Sequence, residues 1–262
     1  ALESSREVAL INTITGEELR RISVGRAPQG LALAADGRRL YVQNFMDRSV
    51  TVLDVSAVLT GNGNVERLAD LASVTTEKLA PDVLAGKQLF YDALDPRIAA
   101  QRYISCASCH HDGGHDGRVW DFTGFGEGLR NTTDLRGRRG IGHGPLHWSG
   151  NFDEVQDFEG QIRALANGTG LMTNAQFNTG SVHAPLGDLK AGINSQLAAL
   201  SAYVTSLNVS APRPDRGGDG ALTASAQAGK ILFAQAGCNR CHAGADFTDS
   251  VLDQRHDVGT LK

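Results

Sequence analysis

The stretch CASCHHDGGHDGR (residues 106–118) contains the pattern C-x-x-C-H at Cys106, Cys109 and His110. The same pattern returns as CNRCH, with Cys238, Cys241 and His242, and the two motifs use all four cysteines of the chain. Two C-x-x-C pairs can build a zinc ribbon, but ribbon pairs stand roughly 15–20 residues apart. Here residues 110–237 intervene. A thioredoxin-like redox pair needs a βαβ setting, which surrounds neither pair. C-x-x-C-H is the attachment pattern of c-type haem. The two thiols add to the two vinyl groups of one haem as thioethers, and the adjacent histidine offers its imidazole to the iron. The spacing therefore predicts one covalent haem on Cys106, Cys109 and His110 and a second on Cys238, Cys241 and His242. His110 and His242 are the expected iron ligands. No cysteine remains for a disulfide. Haem of this kind is attached outside the cytoplasm, so a bacterial periplasmic or secreted protein is expected.

Composition sets the frame around the motifs. The 262 residues are 41% hydrophobic and 21% charged, the balance of an ordinary globular protein. A net charge of -4 gives no electrostatic case for nucleic acid. No apolar run approaches the length of a membrane span.

Working outward from the motifs, residues 1–72 read as strands. VALINTITGEELRRISVG (residues 8–25) and LALAADGRRLYVQNFMDRSVTVLDVS (residues 31–56) alternate apolar and polar positions about Thr15-Gly16 and Asp36-Gly37. Residues 73–210 hold the first motif. LAPDVLAGKQLFYDA (residues 79–93) predicts an amphipathic helix with Pro81 in its first turn. DLKAGINSQLAALSAYVTSLN (residues 188–208) predicts another, with Ile193, Leu197, Leu200, Val204 and Leu207 on one face. Residues 211–221 form a Pro/Gly-rich linker, and residues 222–262 begin a second module. Its opening repeats the first: Ala85-Gly86-Lys87-x-Leu89-Phe90 recurs as Ala228-Gly229-Lys230-x-Leu232-Phe233. The expected fold class is mainly α: two cytochrome c-type haem domains related by duplication, preceded by a short all-β segment.

Two resemblances sharpen these expectations. Pro28 through Asn44 resembles the P-x-G-x-A-x-x-x-D-G-x-x-L-Y-V-x-N pattern of YVTN-type β-propeller blades. The likeness covers about one and a half blades, which implies an incomplete propeller and a chain that is a piece of a longer protein or is completed by another chain. From about residue 79 onward the chain is similar to the bacterial di-haem cytochrome c peroxidase and MauG superfamily. The likeness is carried by AGKQLF before SCASCH, RNTTDLRG (residues 130–137), HWSGNFDEVQDFEGQI (residues 147–162), the helix over 188–208, and CHAGADFTDS with RHDVGT.

The second resemblance implies roles for particular residues. The haem on His110 would be the peroxidatic one and the haem on His242 the electron store. Trp148 would relay electrons between them. His115 is the best candidate to close the first haem from the opposite side, with His143 and His147 behind it. Arg130, with Arg136, Arg138 and Arg139, would neutralise haem propionates. A calcium ion is implied between the domains, with loop 120–131 as a source of oxygens. The family's peroxide-activating glutamate is missing, since no carboxylate precedes Met172. Glu154, Asp157 and Glu159 are the candidate replacements. Met46, Met172 and Tyr203 are the upstream candidates for the sixth ligand of the second haem, and His256 would serve structure or a propionate. The implied function is electron transfer between two haems with reduction of hydrogen peroxide or oxidation of a partner. A small cytochrome or cupredoxin is the implied redox partner. A pure electron carrier is the alternative, and a binding module built on the strand segment is the third reading.

Overall fold

A computed structural model describes residues 1–61, 63–210, 213–252, 254, 256 and 257. The expected linker at 211–221, the expected second module at 222–262 and the RHDVGT stretch thus lie partly outside the described residues.

The alternating N-terminal sequence forms strands. β1 (Glu7–Ile11) pairs antiparallel with β2 (Glu18–Ser23) across a turn in which Gly16 takes φ +73°. Glycine holds that left-handed conformation without a steric penalty. β3 (Pro28–Leu33), β4 (Arg39–Asn44), β5 (Ser49–Asp54) and β6 (Glu66–Ala72) then form an antiparallel meander in sequence order, with α1 (Ser56–Leu59) between the last two. Asn44 is fully buried at the end of β4. Its amide donates to Ser49 and Thr51 at 3.1 and 2.8 Å and accepts from Gly25 N–H at 3.0 Å. A buried amide is tolerated because every partner is supplied. Val8, Val24, Val42, Leu53 and Val55 close a small core beneath these strands.

The helical part is built on α2 (Pro81–Phe90) and α6 (Ser195–Ser206), which pack against each other. Pro81 sits in the first turn of α2, where its missing N–H costs nothing. At the crossing, a Cβ on Gly86 would lie 1.8 Å from the carbonyl oxygen of Ala199, so only glycine permits this approach. The helix expected over 188–208 is shorter, because Asn194 caps it. The Asn194 side chain accepts from the N–H groups of Gln196 and Leu197 at 2.9 and 3.0 Å. Between these helices come α3 (Cys106–Cys109), the hairpin of β7 (Val119–Phe122) and β8 (Gly128–Asn131), α4 (Phe158–Ala164) and α5 (Asn174–Phe177). α7 (Ala224–Gln235) follows.

The strands and helices share one core. Ala27 and Met46 from the strand part pack with Phe90, Tyr91, Leu200, Tyr203 and Val204. Burying each such large side chain contributes about 1.5–3 kcal/mol. Arg6 pairs with Asp92, and Ala93 N–H donates to Ser4 O at 3.0 Å, tying the N-terminus to the end of α2.

The expected fold class does not hold. Among the described residues, helix makes up only 29% and strand 20%, with seven α-helices spread among small antiparallel sheets, so the fold is not a mainly α cytochrome. Nor does the four-stranded meander close into a propeller. The physical reason lies in the chain between α2 and α6. Gly113, Gly117, Gly126, Gly128, Gly137 and Gly144 all take positive φ there, which breaks the backbone into turns, single helical turns and a hairpin. No described helix is long and apolar enough to cross a membrane.

Candidate functional site

Each motif folds as one tight turn. In the first, α3 starts at Ser105, whose N–H donates to Ser108 Oγ at 3.0 Å, while its own Oγ lies 2.8 Å from that of Ser4. His110 N–H closes the turn on Cys106 O at 2.9 Å. The His110 ring is then held twice. Its Nδ1 lies 3.2 Å from Gly114 O, and the Phe90 ring packs on it at 6.4 Å between centroids, tilted 50°. A carbonyl can only accept, so Nδ1 carries the proton and Nε2 the lone pair. Burial holds the His110 pKa below the usual imidazole value, with the backbone at Gly114 and Thr133 opposing.

The second motif repeats this geometry. Cys238–Arg240 form one 3-10 turn, and His242 N–H donates to Cys238 O at 3.0 Å. His242 Nδ1 lies 3.1 Å from Phe247 O, and Phe233 packs on the ring at 6.3 Å and 51°. Phe90 and Phe233 are the equivalent residues of the sequence repeat, so the likeness in sequence carries through to ring geometry.

The four cysteines are free thiols. The Cys106 side chain keeps some exposed surface, but protein atoms crowd it, and this burial pushes its thiol up to about 11. Burial also raises Cys109. Both are therefore protonated at neutral pH. Cys238 is exposed. Near the second motif, Cys241, Asp249 and His256 bring one ligand atom each within 4.8 Å of one another, a set able to hold a divalent cation.

The other expected site residues scatter. Trp148 is 64% exposed, and its indole N–H donates to Asn131 O at 2.9 Å. His115 is exposed, and its Nδ1 accepts from Gly117 N–H at 3.1 Å. The three candidate carboxylates have structural partners. Glu154 accepts from Lys190 N–H. Asp157 meets Lys190 Nζ at 2.5 Å. Glu159 accepts from the N–H groups of Leu171 and Met172 at 2.9 and 3.1 Å, and from Arg163. Glu159 thus anchors the segment where the family glutamate was sought. Met46, Met172 and Tyr203 are buried in the cores, and His256 pairs with Asp249 at 2.8 Å. Loop 120–131 is the β7–β8 hairpin. The acidic cluster able to hold a cation among the described residues is Asp153, Glu154 and Asp157, where the Lys190 ammonium already sits.

Sequence reasoning missed Glu127. It is only 6% exposed, accepts from Ser149 Oγ, and stands 3.6 Å from both Arg130 Nε and His147 Nδ1. Its Oε2 has no hydrogen-bond partner. Burial lowers the His147 pKa, opposed by Asn151 and Glu127, and the ring packs on Phe152 and Phe158 at 4.2 and 5.2 Å. The only sequence signal was an acidic residue three positions before Arg130, hidden in glycine-rich surroundings. Of the remaining arginines, Arg136 pairs with Asp134, and Arg139 reaches Asp246 at 3.1 Å. Arg138 is packed in, and burial lowers its pKa.

No protein-family model matches this chain, and no curated protein matches it at a significant level.

Proposed function

We propose that this chain carries a covalent haem on each C-x-x-C-H motif and passes single electrons between them outside the cytoplasm, as a relative of the di-haem cytochrome c peroxidases and MauG. One observation carries the reading: the two motif turns share their closing hydrogen bond, their carbonyl-held Nδ1 and their phenylalanine contact. Bound haem would supply a one-electron iron couple tuned by its ligands. The residues present fit it. The Cys106 and Cys109 thiols are protonated at neutral pH and stand three positions apart on one turn, each with an S–H to add across a vinyl group. A carbonyl on Nδ1 orients the imidazole and strengthens Nε2 as a donor. The half-buried Arg138 is a cation suited to a propionate. A small cytochrome or cupredoxin is the proposed redox partner.

Reduction of hydrogen peroxide is a second reading, favoured by Glu127. A buried carboxylate whose Oε2 accepts no hydrogen bond and faces Arg130 at 3.6 Å, beside an imidazole whose burial favours its neutral form, can take a proton from one peroxide oxygen and return it to the other. EPR of the haem-loaded protein, oxidised and then half-reduced, separates the readings. A high-spin ferric signal consumed by peroxide supports the peroxidase. Two low-spin signals indifferent to peroxide leave an electron carrier. Absence of any haem signal sinks both.

A further inference from the structure

The fold takes Lys190 inside, leaving it 2% exposed shortly before α6. Lysine is almost never buried to that degree unless it is paired. Its Nζ reaches the carbonyl oxygens of Ala184 and Asp188 at 3.3 and 3.4 Å, and Asp157 Oδ1 at 2.5 Å. Asp157 is 3% exposed and ends the turn Val155–Asp157 that leads into α4, beside the buried Phe152 and Val155. Charges this deep are costly. The pair sheds them by moving one proton, which leaves a neutral amine beside a neutral acid of the same composition. The two amine hydrogens then have the two carbonyls, and the lone pair has the acid.

The Asp157 carboxyl is held as an acyl acceptor is held. Its Oδ2 accepts from the backbone N–H groups of Asp153 and Glu154 at 3.0 and 3.4 Å. Two such donors stabilise negative charge that develops on that oxygen. Its Oδ1 is buried and accepts no hydrogen bond, so the nearby nitrogen does not approach along the line that a hydrogen bond needs. Glu154 accepts from Lys190 N–H and fixes the lysine backbone. The Asp153 carboxyl comes within 4.8 Å of that of Asp157. Burial, with the Asp157 charge, raises Asp153 above its ordinary value, which suits it to carry a proton.

We propose that Lys190 and Asp157 condense into an intramolecular amide, with Asp153 as the proton carrier. The Nζ lone pair forms a bond to Asp157 Cγ, and charge gathers on Oδ2 between its two N–H donors. The Cγ–Oδ1 bond then breaks and Oδ1 leaves as water. Asp153 gives Oδ1 the proton that completes the water and takes the one that the new amide nitrogen sheds. No oxidant, reductant or further reactant enters. The amide ties the turn before α4 to the segment before α6, independently of either haem motif.

Tryptic mapping of the full-length chain by mass spectrometry tests it. The expected result is no cleavage after Lys190, and a branched peptide one water lighter than the sum of the Lys190 and Asp157 peptides. Lys190→Arg keeps a cation and should leave the two peptides unlinked. Asp153→Asn keeps the side-chain shape without carrying a proton, and should slow linking by about a hundredfold in samples mapped at intervals after synthesis. Circular dichroism establishes that each variant is folded, with Lys190→Gln and Asp153→Ser as replacements where one is not. Ordinary masses for both peptides in the parent chain overturn the proposal whatever the variants do. A branched peptide that persists in Lys190→Arg, or forms as fast in Asp153→Asn, overturns it too. Haem loading changes only the masses of the cysteine peptides, so the two results are read separately.

Discussion

The two C-x-x-C-H modules share a local shape and differ in what surrounds it. In the first, Gly86 brings α2 against the backbone of α6, and Phe90, 2% exposed, joins a core with Ala107 and Tyr203. In the second, α7 buries none of its residues. Ile231 and Leu232 are 56% and 63% exposed, and a Cβ on Gly229 would meet nothing within 4 Å. Yet the motif turns and the phenylalanine–histidine contacts agree to within a tenth of an ångström and one degree. The motif and the helix leading into it are therefore sufficient for the local turn, while packing supplies the stability. Short helices are marginal until tertiary contacts bury a face.

The sharpest way to break this comparison is at the paired phenylalanines. Phe90→Ala should cost about 3–5 kcal/mol, as expected for a buried aromatic ring. Phe233→Ala should cost about 1 kcal/mol. Urea denaturation of each variant reads the difference, and equal losses would show that α7 is as well packed as α2. The paired glycines come next. Gly86→Ala forces α2 off α6 and should destabilise by about 3 kcal/mol. Gly229→Ala should stabilise α7 by about 0.5–1 kcal/mol, because alanine loses less backbone entropy on forming helix.

Smaller effects sharpen the chemical side. In protein made without haem, an alkylating probe at neutral pH should label exposed Cys238 first and Cys106 last, since a thiol pushed up to about 11 is almost entirely protonated. Peptide mapping after timed labelling checks the order. The smallest expected effect is a pH slope. Burial holds His147 below its ordinary value of 6.5, so as pH falls past that value the unfolded chain takes up a proton that the folded chain resists. Stability should drop on acidification, and His147→Gln should flatten that drop in melting curves between neutral and mildly acidic pH.

What the sequence made legible was local. Period-two alternation placed β1 to β5, Pro81 marked the start of α2, and the AGK-x-LF repeat announced two equivalent helix-to-motif turns. The class of the fold was not legible. Residues 110–190 carry no sustained period, and a resemblance to helical haem domains set the class as mainly α although glycine-directed turns stand there. The helix over 188–208 was overextended because apolar spacing says nothing about a cap, and Asn194 is the residue that decides it. At the site, the motif histidines were readable because covalent chemistry fixes their spacing. Glu127 was not, because its burial comes from contacts with Arg130, His147 and Ser149 that no local pattern encodes.

The central claim is that both motifs hold haem covalently. It is tested most directly by intact mass spectrometry of the protein made in a host that attaches c-type haem, after extraction in acidic acetone to remove any haem held without a bond. The account predicts a mass gain of two haem groups, falling to one in a Cys106→Ser, Cys109→Ser variant and to one in a Cys238→Ser, Cys241→Ser variant. A chain at its bare polypeptide mass after extraction would contradict it.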